Sequence, residues 1–135
     1  MNPENFQPTY RTYNTYKLTS YINASHAVRW EGGIGKEHMH TWAVICEIHV
    51  NNDRMVPFNA IEAELKEVSA RVSGKFLNEV PPFDRINPTL ENLTTYFFEV
   101  ISNILRKSNA VLTRLEIGES PTRFYCMTLD QWSGQ

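Results

Sequence analysis

The sequence has no long apolar run, very little cysteine and no excess of either charge, and each absence narrows what the chain can do. Its 135 residues carry 13 Lys and Arg against 15 Asp and Glu, a net charge of -2. Charge so balanced offers no electrostatic footprint for nucleic acid or for an anionic membrane. No stretch approaches the roughly 20 apolar residues that cross a bilayer, and the polar opening from Met1 to Pro8 lacks the basic and apolar segments of a secretory leader. A cytoplasmic location is the default expectation. The two cysteines, Cys46 and Cys126, lie 80 positions apart and outside any C-x-x-C spacing. Buried free thiols in a reducing compartment are therefore expected, not a disulfide or a thiolate metal site. There is no internal repeat and no low-complexity tract. The length suits one domain with a real core, and 41% hydrophobic with 21% charged residues is an ordinary globular composition.

Histidine is also scarce, yet three of the four fall between residues 26 and 40. His38 and His40 stand two apart in a run that continues through Trp42, Val44, Cys46 and Ile48, so in a strand both imidazoles point to one face. His26 ends an earlier run, and a turn containing Gly32, Gly33 and Gly35 would fold it back toward the other two. Three neutral imidazoles with an open fourth position are the usual ligand set of a catalytic zinc. Spacing alone leaves the alternative open, two histidines flanking a loop tip by chance, because H-x-H pairs are common.

Residues 1–12 carry two prolines and no periodicity, and are expected to form a flexible arm ahead of a single domain over 13–135. A first strand is expected over 13–27, with Tyr16, Leu18, Ser20, Ile22, Ala24 and His26 on one face. A second covers about 39–50 and is broken by Asn51, Asn52, Asp53 and Arg54. The period then changes to 3.6: Ile61, Leu65, Val68 and Val72 form one stripe of a helix with Asn59 as its N-cap, ending near Gly74. The connection 75–87, with Pro81 and Pro82, reads as irregular. Pro88 and Thr89 open a second helix, with Glu91 in its first turn and Leu93, Phe97, Val100, Ile101, Ile104 and Leu105 on its apolar side. A third strand alternates through Val111, Thr113, Leu115, Ile117 and Glu119 on one face, turns through Gly118 to Pro121, and meets a last strand over 122–129. The order ββααββ predicts an α+β fold, a four-stranded antiparallel sheet with both helices on one face. Its two outer strands carry no edge-blunting proline or lysine run, so association through sheet edges follows.

Several short stretches together resemble one family, the 6-pyruvoyltetrahydropterin synthase and 6-carboxytetrahydropterin synthase group of the tunnelling fold. They occur in family order: Ala24, Ser25, His26; His38, Met39, His40; Met55, Val56, Pro57, Phe58 leading to Leu65, Lys66; Phe76, Leu77, Asn78; Asn87 to Leu93; and Gly118, Glu119, Ser120. The resemblance implies Zn2+ on His26, His38 and His40, and a homo-oligomer, a hexamer made of two trimers whose sheets close into a barrel. It also implies a pterin-like substrate anchored by Glu119, since the 2-amino and N3–H groups of a pterin form a parallel donor pair that one carboxylate accepts. Thr89 and Glu91 fall where the family places residues near the pterin, although helix capping explains both without a ligand.

The chain departs from the family in its acid-base groups. The family's cysteine, four positions before the H-x-H pair, is Ile34 here, and its Asp-His couple falls on Ser73 and Gly74. The aspartate usual before Phe58 is Pro57, and the loop between the first two ligand histidines looks shortened. Glu31 and Glu37 are the candidate substitutes. Glu37, next to a ligand in a strand, should point away from the metal, which favours Glu31; both also read as solvated loop charges. Some relatives use glutamate in place of the cysteine and release a hydroxymethylpterin. His49 lies on the opposite face by parity and reads as structural, and Cys46, roughly 20 Å along the strand from His40, is too distant to serve. Two functions follow: a zinc-dependent pterin synthase-like enzyme with an altered base, or a zinc-containing heterocycle-binding protein that has lost catalysis.

Overall fold

Alternation in the first third of the chain becomes β structure and carries the histidines with it. In the computed structural model, which describes residues 6–50 and 56–130, β1 spans Tyr16–His26. Two short strands follow, β2 (Arg29–Trp30) and β3 (Gly33–Ile34), and then the long β4 (His38–Val50). Helix α1 covers Phe58–Ala70 and α2 covers Leu90–Leu105, before β5 (Ala110–Ser120) and β6 (Arg123–Thr128) close the chain. The main sheet is antiparallel with order β1-β4-β5-β6, leaving β1 and β6 as its edges. Residues 1–5 of the expected arm, and the expected break at Asn51 to Arg54, lie outside the described residues. Residues 6–15 carry no helix or strand.

The core lies between one sheet face and the helices. Ile22, Ala24, Trp42, Val44, Cys46 and Ile48 meet Ile61, Leu65 and Val68 of α1 and Leu93, Phe97 and Ile101 of α2, all buried. These sheet residues share the parity of His26, His38 and His40. The histidines therefore extend the core face beyond its apolar part.

Five details differ from expectation. Pro57, not Asn59, precedes α1, and no side chain among the described residues caps that helix; proline already fixes a helical φ and has no N–H to satisfy. The Gly-rich turn is a hairpin of its own, β2 against β3, closed by Glu31 and Gly32, with Gly32 at φ +86°. Glu31 therefore occupies a hairpin tip in place of an open loop. The connection 75–87 contains one 3-10 turn, Leu77–Glu79. In β5 the alternation slips: Glu47 pairs with Arg114 but Ile48 pairs with Leu112, so Thr113 is an extra residue. That bulge reverses parity, burying Ala110 and Leu112 where Val111 was expected to continue the face of Leu115, while Thr113, the extra residue, is buried as well. Cys46 is buried as expected, whereas Cys126, on edge strand β6, is exposed.

Candidate metal centre

β1 ends and β4 begins side by side, and that end of the sheet carries the histidines. The antiparallel register sets His26 opposite His38 and Ala24 opposite His40. Ring centroids stand 4.5 Å apart for His26 and His38, 5.1 Å for His26 and His40, and 4.6 Å for His38 and His40. One nitrogen from each ring lies within 4.8 Å of the other two.

Backbone carbonyls set the tautomers. His26 Nδ1 lies 2.7 Å from the Pro88 carbonyl oxygen and His38 Nδ1 lies 3.0 Å from that of Lys36. A carbonyl can only accept, so each Nδ1 carries the proton and each Nε2 presents a lone pair. Those two Nε2 atoms are 2.9 Å apart, and lone pairs facing at that distance repel. His40 Nε2 is buried and has no hydrogen-bond partner among the described residues. A cation accepting all three lone pairs removes the repulsion and satisfies the orphan, and an all-imidazole set of three suits zinc. Burial pushes His26 below the ordinary histidine range, with the neighbouring imidazoles adding to the effect, and it lowers His40 in the same way. Both are thereby held in the neutral form that ligates metal.

The surroundings fix the rings. Trp42 lies beneath them, its ring 4.9 Å from that of His26 and 5.1 Å from that of His40, with its indole N–H donating to the Ala24 carbonyl. Two asparagine side chains then continue the strand pairing past the end of β1. Asn78 accepts from the Ala27 N–H at 2.9 Å and donates to the Ala27 carbonyl at 2.7 Å. Asn87 does the same to Arg29, at 2.8 and 2.7 Å. Asn87 immediately precedes Pro88, whose carbonyl orients His26, so the amide clamps hold both the strand end that carries His26 and the carbonyl that orients its ring. In the sequence Asn78 and Asn87 stand out only as parts of the family motifs. Their role depends on side chains reaching 51 and 58 positions along the chain, which no local pattern encodes.

Glu119, near the end of β5, comes to the same cluster: its carboxylate and backbone carbonyl both favour the protonated form of His40, opposing the effect of burial. Thr89 is the N-cap of α2 and accepts from the Asn92 N–H at 3.1 Å. Glu91 is exposed in the first turn of that helix. Glu37 is exposed, and its Oε2 accepts a 2.6 Å hydrogen bond from Ser25. Ser25 neighbours His26 and by alternation faces the other side of the sheet, the direction expected for Glu37. Glu31 lies exposed at the β2–β3 tip. Ile34 is 55% exposed. Ser73 is exposed as well, and Gly74 is held at φ +76° with its N–H donating to Asn23. His49 faces away, with Nδ1 against the Asn14 carbonyl and its ring stacked on Tyr13.

This fold and cluster define the class, an antiparallel sheet backed by two helices with a histidine triad at one end of it. The sequence profile described as 6-pyruvoyl tetrahydropterin synthase matches residues 15–129, and the chain belongs to that family. Among solved structures it is similar to the Caenorhabditis elegans 6-pyruvoyl tetrahydropterin synthase, at 18% identity and TM-score 0.73, covering 87% of this chain and 96% of that one. The Plasmodium vivax 6-pyruvoyltetrahydropterin synthase is similar at 13% identity and TM-score 0.60, over 84% and 97%. An uncharacterized protein from Wolinella succinogenes gives 11% identity and TM-score 0.64, over 86% and 99%. At such identities the likeness establishes the tunnelling fold. No curated protein sequence matches the chain.

Proposed function

We propose that the protein is a zinc-dependent enzyme of the 6-pyruvoyl- or 6-carboxytetrahydropterin synthase type, acting on a dihydropterin triphosphate or a related heterocycle with an altered catalytic base. The observation that carries this reading is the convergence of three imidazoles beside Glu119, two of them facing each other through Nε2 at 2.9 Å. Zinc held by His26, His38 and His40 would supply Lewis acidity toward a substrate oxygen. Glu119 accepts from the 2-amino and N3–H groups of the pterin and so sets the substrate's orientation. Thr89 and Glu91, at the start of α2, border the same ligand. Glu31 is the candidate base, because the Glu37 carboxylate is already engaged by Ser25.

A homohexamer completes the proposal. Both edge strands present aromatic side chains, Tyr16 and Tyr21 on β1, Phe124 and Tyr125 on β6, all exposed in the single chain. Pairing β1 of one subunit with β6 of the next would satisfy their backbone groups and cover these rings.

One observation favours a second reading, a zinc-containing heterocycle-binding protein without catalysis. Ile34, Ser73 and Gly74, at the family's relay positions, offer no group that titrates near neutrality. Turnover of dihydroneopterin triphosphate, followed together with zinc content, separates the two. The enzyme gives product with about one zinc per chain, and the binding protein takes up pterin without product. His40→Ala should lose most of the zinc, and unchanged zinc in that variant sinks the metal assignment.

A further inference from the structure

Glu119 has a partner that neither reading uses. Arg123 Nη1 donates to Glu119 Oε1 at 3.0 Å across the turn from β5 to β6. The Glu119 side chain is only 16% exposed while that of Arg123 is 75% exposed. An ion pair so open to water adds little to stability. The local backbone nevertheless sets the pair up. Gly118 pairs with Phe124 and Ser120 with Arg123, which leaves Glu119 as an extra residue in β5. Bulges of this kind re-aim a side chain. The Phe124 ring lies directly over Gly118, where an added Cβ would come within 2.5 Å of it, so the glycine lets β6 seat closely next to the bulge. The charges of Glu119 and Arg123 both act on His40, which places the pair at the rim of the histidine cluster.

Resting on the pterin reading above, we infer that Glu119 and Arg123 form a single recognition edge for a 2-amino-4-oxopyrimidine ring, with Arg123 donating to the 4-oxo oxygen. That ring edge runs donor, donor, acceptor: the 2-amino group, N3–H and O4. The carboxylate supplies two acceptors, and a guanidinium bonded to one of its oxygens supplies a donor beside them. Arg123 spends one N–H on Oε1 and keeps others for the ligand, and Oε1 retains a lone pair for N3–H. A 2,4-dioxo ring turns an oxygen toward Glu119 instead of the amino group, setting acceptor against charged acceptor. The pair thus discriminates pterins from lumazines. A plug is the competing physical role for Arg123, occupying Glu119 until ligand displaces it, and it predicts an effect of opposite sign.

Calorimetric titration of the zinc-loaded full chain with pterin and with lumazine tests the inference, using the parent, Arg123→Ala and Arg123→Lys. The parent should bind pterin at least about tenfold more tightly than lumazine. Arg123→Ala should weaken pterin binding by about tenfold or more, the range for a hydrogen bond to a charged group. Arg123→Lys, a point donor without the planar fork, should fall between. Equal or tighter pterin binding by Arg123→Ala overturns the recognition edge and leaves the pterin reading standing. A parent that binds no pterin, or does not prefer it to lumazine, overturns that reading and the edge with it. Arg123 is exposed, so the melting temperature should match the parent's; if the alanine variant fails to fold, Arg123→Gln takes its place with the same expected direction.

Discussion

At the end of β1, His26 is held from several directions: the Pro88 carbonyl fixes its ring, the Trp42 ring lies beneath it, and Asn78 clamps the residue that follows. The positions where the family keeps its proton relay are built otherwise, with Ile34 exposed on a two-residue strand and Ser73 and Gly74 exposed in a turn. Of the histidine cluster, His26 is buried and His40 partly so, and the ring nitrogens of His26 and His38 are held by backbone carbonyls. The relay positions bear neither titratable groups nor the packing that would hold them. On the proposed reading, metal binding and acid-base chemistry can therefore change separately in this fold, because their positions fall on different segments with different structural support.

The largest effect expected from breaking that contrast comes from rebuilding the relay. Ile34→Cys combined with Ser73→Asp and Gly74→His should raise kcat/KM on dihydroneopterin triphosphate by about 10²-fold or more, the contribution of one acid-base group. The histidine must adopt the left-handed conformation that Gly74 now holds at φ +76°, at a cost of about 1–2 kcal/mol. No gain, in a variant that still folds and binds zinc, would mean that the missing relay does not limit the chain. Ile34→Cys alone should change stability little, since that side chain already faces water.

The segments the sequence made legible are those in which one local period decides the outcome. The period-two run from His38 to Ile48 placed two imidazoles on the core face, and the 3.6 period from Leu93 to Leu105 placed α2. The Thr113 bulge was hidden because alternation gives no sign of where a strand takes an extra residue. The β2–β3 hairpin was hidden inside a glycine cluster that reads equally well as an open turn. Glu119 was visible only through resemblance. Its bulge and its pairing with Arg123 belong to tertiary geometry. Asn59 looked like a cap because the helix stripe begins nearby, but the preceding proline had already set the first turn.

The asparagine clamps give the next largest effect. Asn78→Ala leaves the Ala27 N–H and carbonyl without partners in a buried setting, so stability should fall by about 2–4 kcal/mol in denaturant unfolding. If the clamp also holds His26 in place, zinc affinity should drop by about 10- to 100-fold, the usual effect of losing a group that orients a ligand. A stability loss with unchanged zinc affinity would show that the scaffold and the ligand set are less coupled than the hydrogen bonds indicate. A smaller effect tests the core under the site. Burial pushes the Cys46 thiol up to about 12. Its folded value therefore lies above its unfolded one, and its stabilising contribution is complete below about pH 9 and is lost as pH rises toward 12. Cys46→Val removes the titration, so its stability relative to the parent should improve by about 1.4 kcal/mol per pH unit above 9. A flat difference across that range would place Cys46 in contact with water. Thiol labelling of the native chain should reach exposed Cys126 and spare Cys46 until unfolding.

Thr89 lies on the boundary between the two kinds of support, and the smallest effect decides to which it belongs. Its hydroxyl oxygen accepts from the Asn92 N–H, and Asn92 in turn donates to the Asn87 carbonyl, so the residue is tied into the scaffold beside Pro88. Losing the cap in Thr89→Ala should cost about 1 kcal/mol. The same loss is expected whether or not the hydroxyl also donates to the pterin. Thr89→Asp separates the roles, because aspartate caps as well as threonine and suits the helix dipole, yet when ionised it can only accept. If Thr89 is purely a cap, the aspartate variant keeps both the stability and the pterin affinity of the parent. If the hydroxyl donates to the ligand, stability is kept while pterin affinity falls, because an acceptor and a negative charge now stand where a donor stood. In that case the start of α2 is part of the binding edge, and the line between scaffold and site runs through a single side chain.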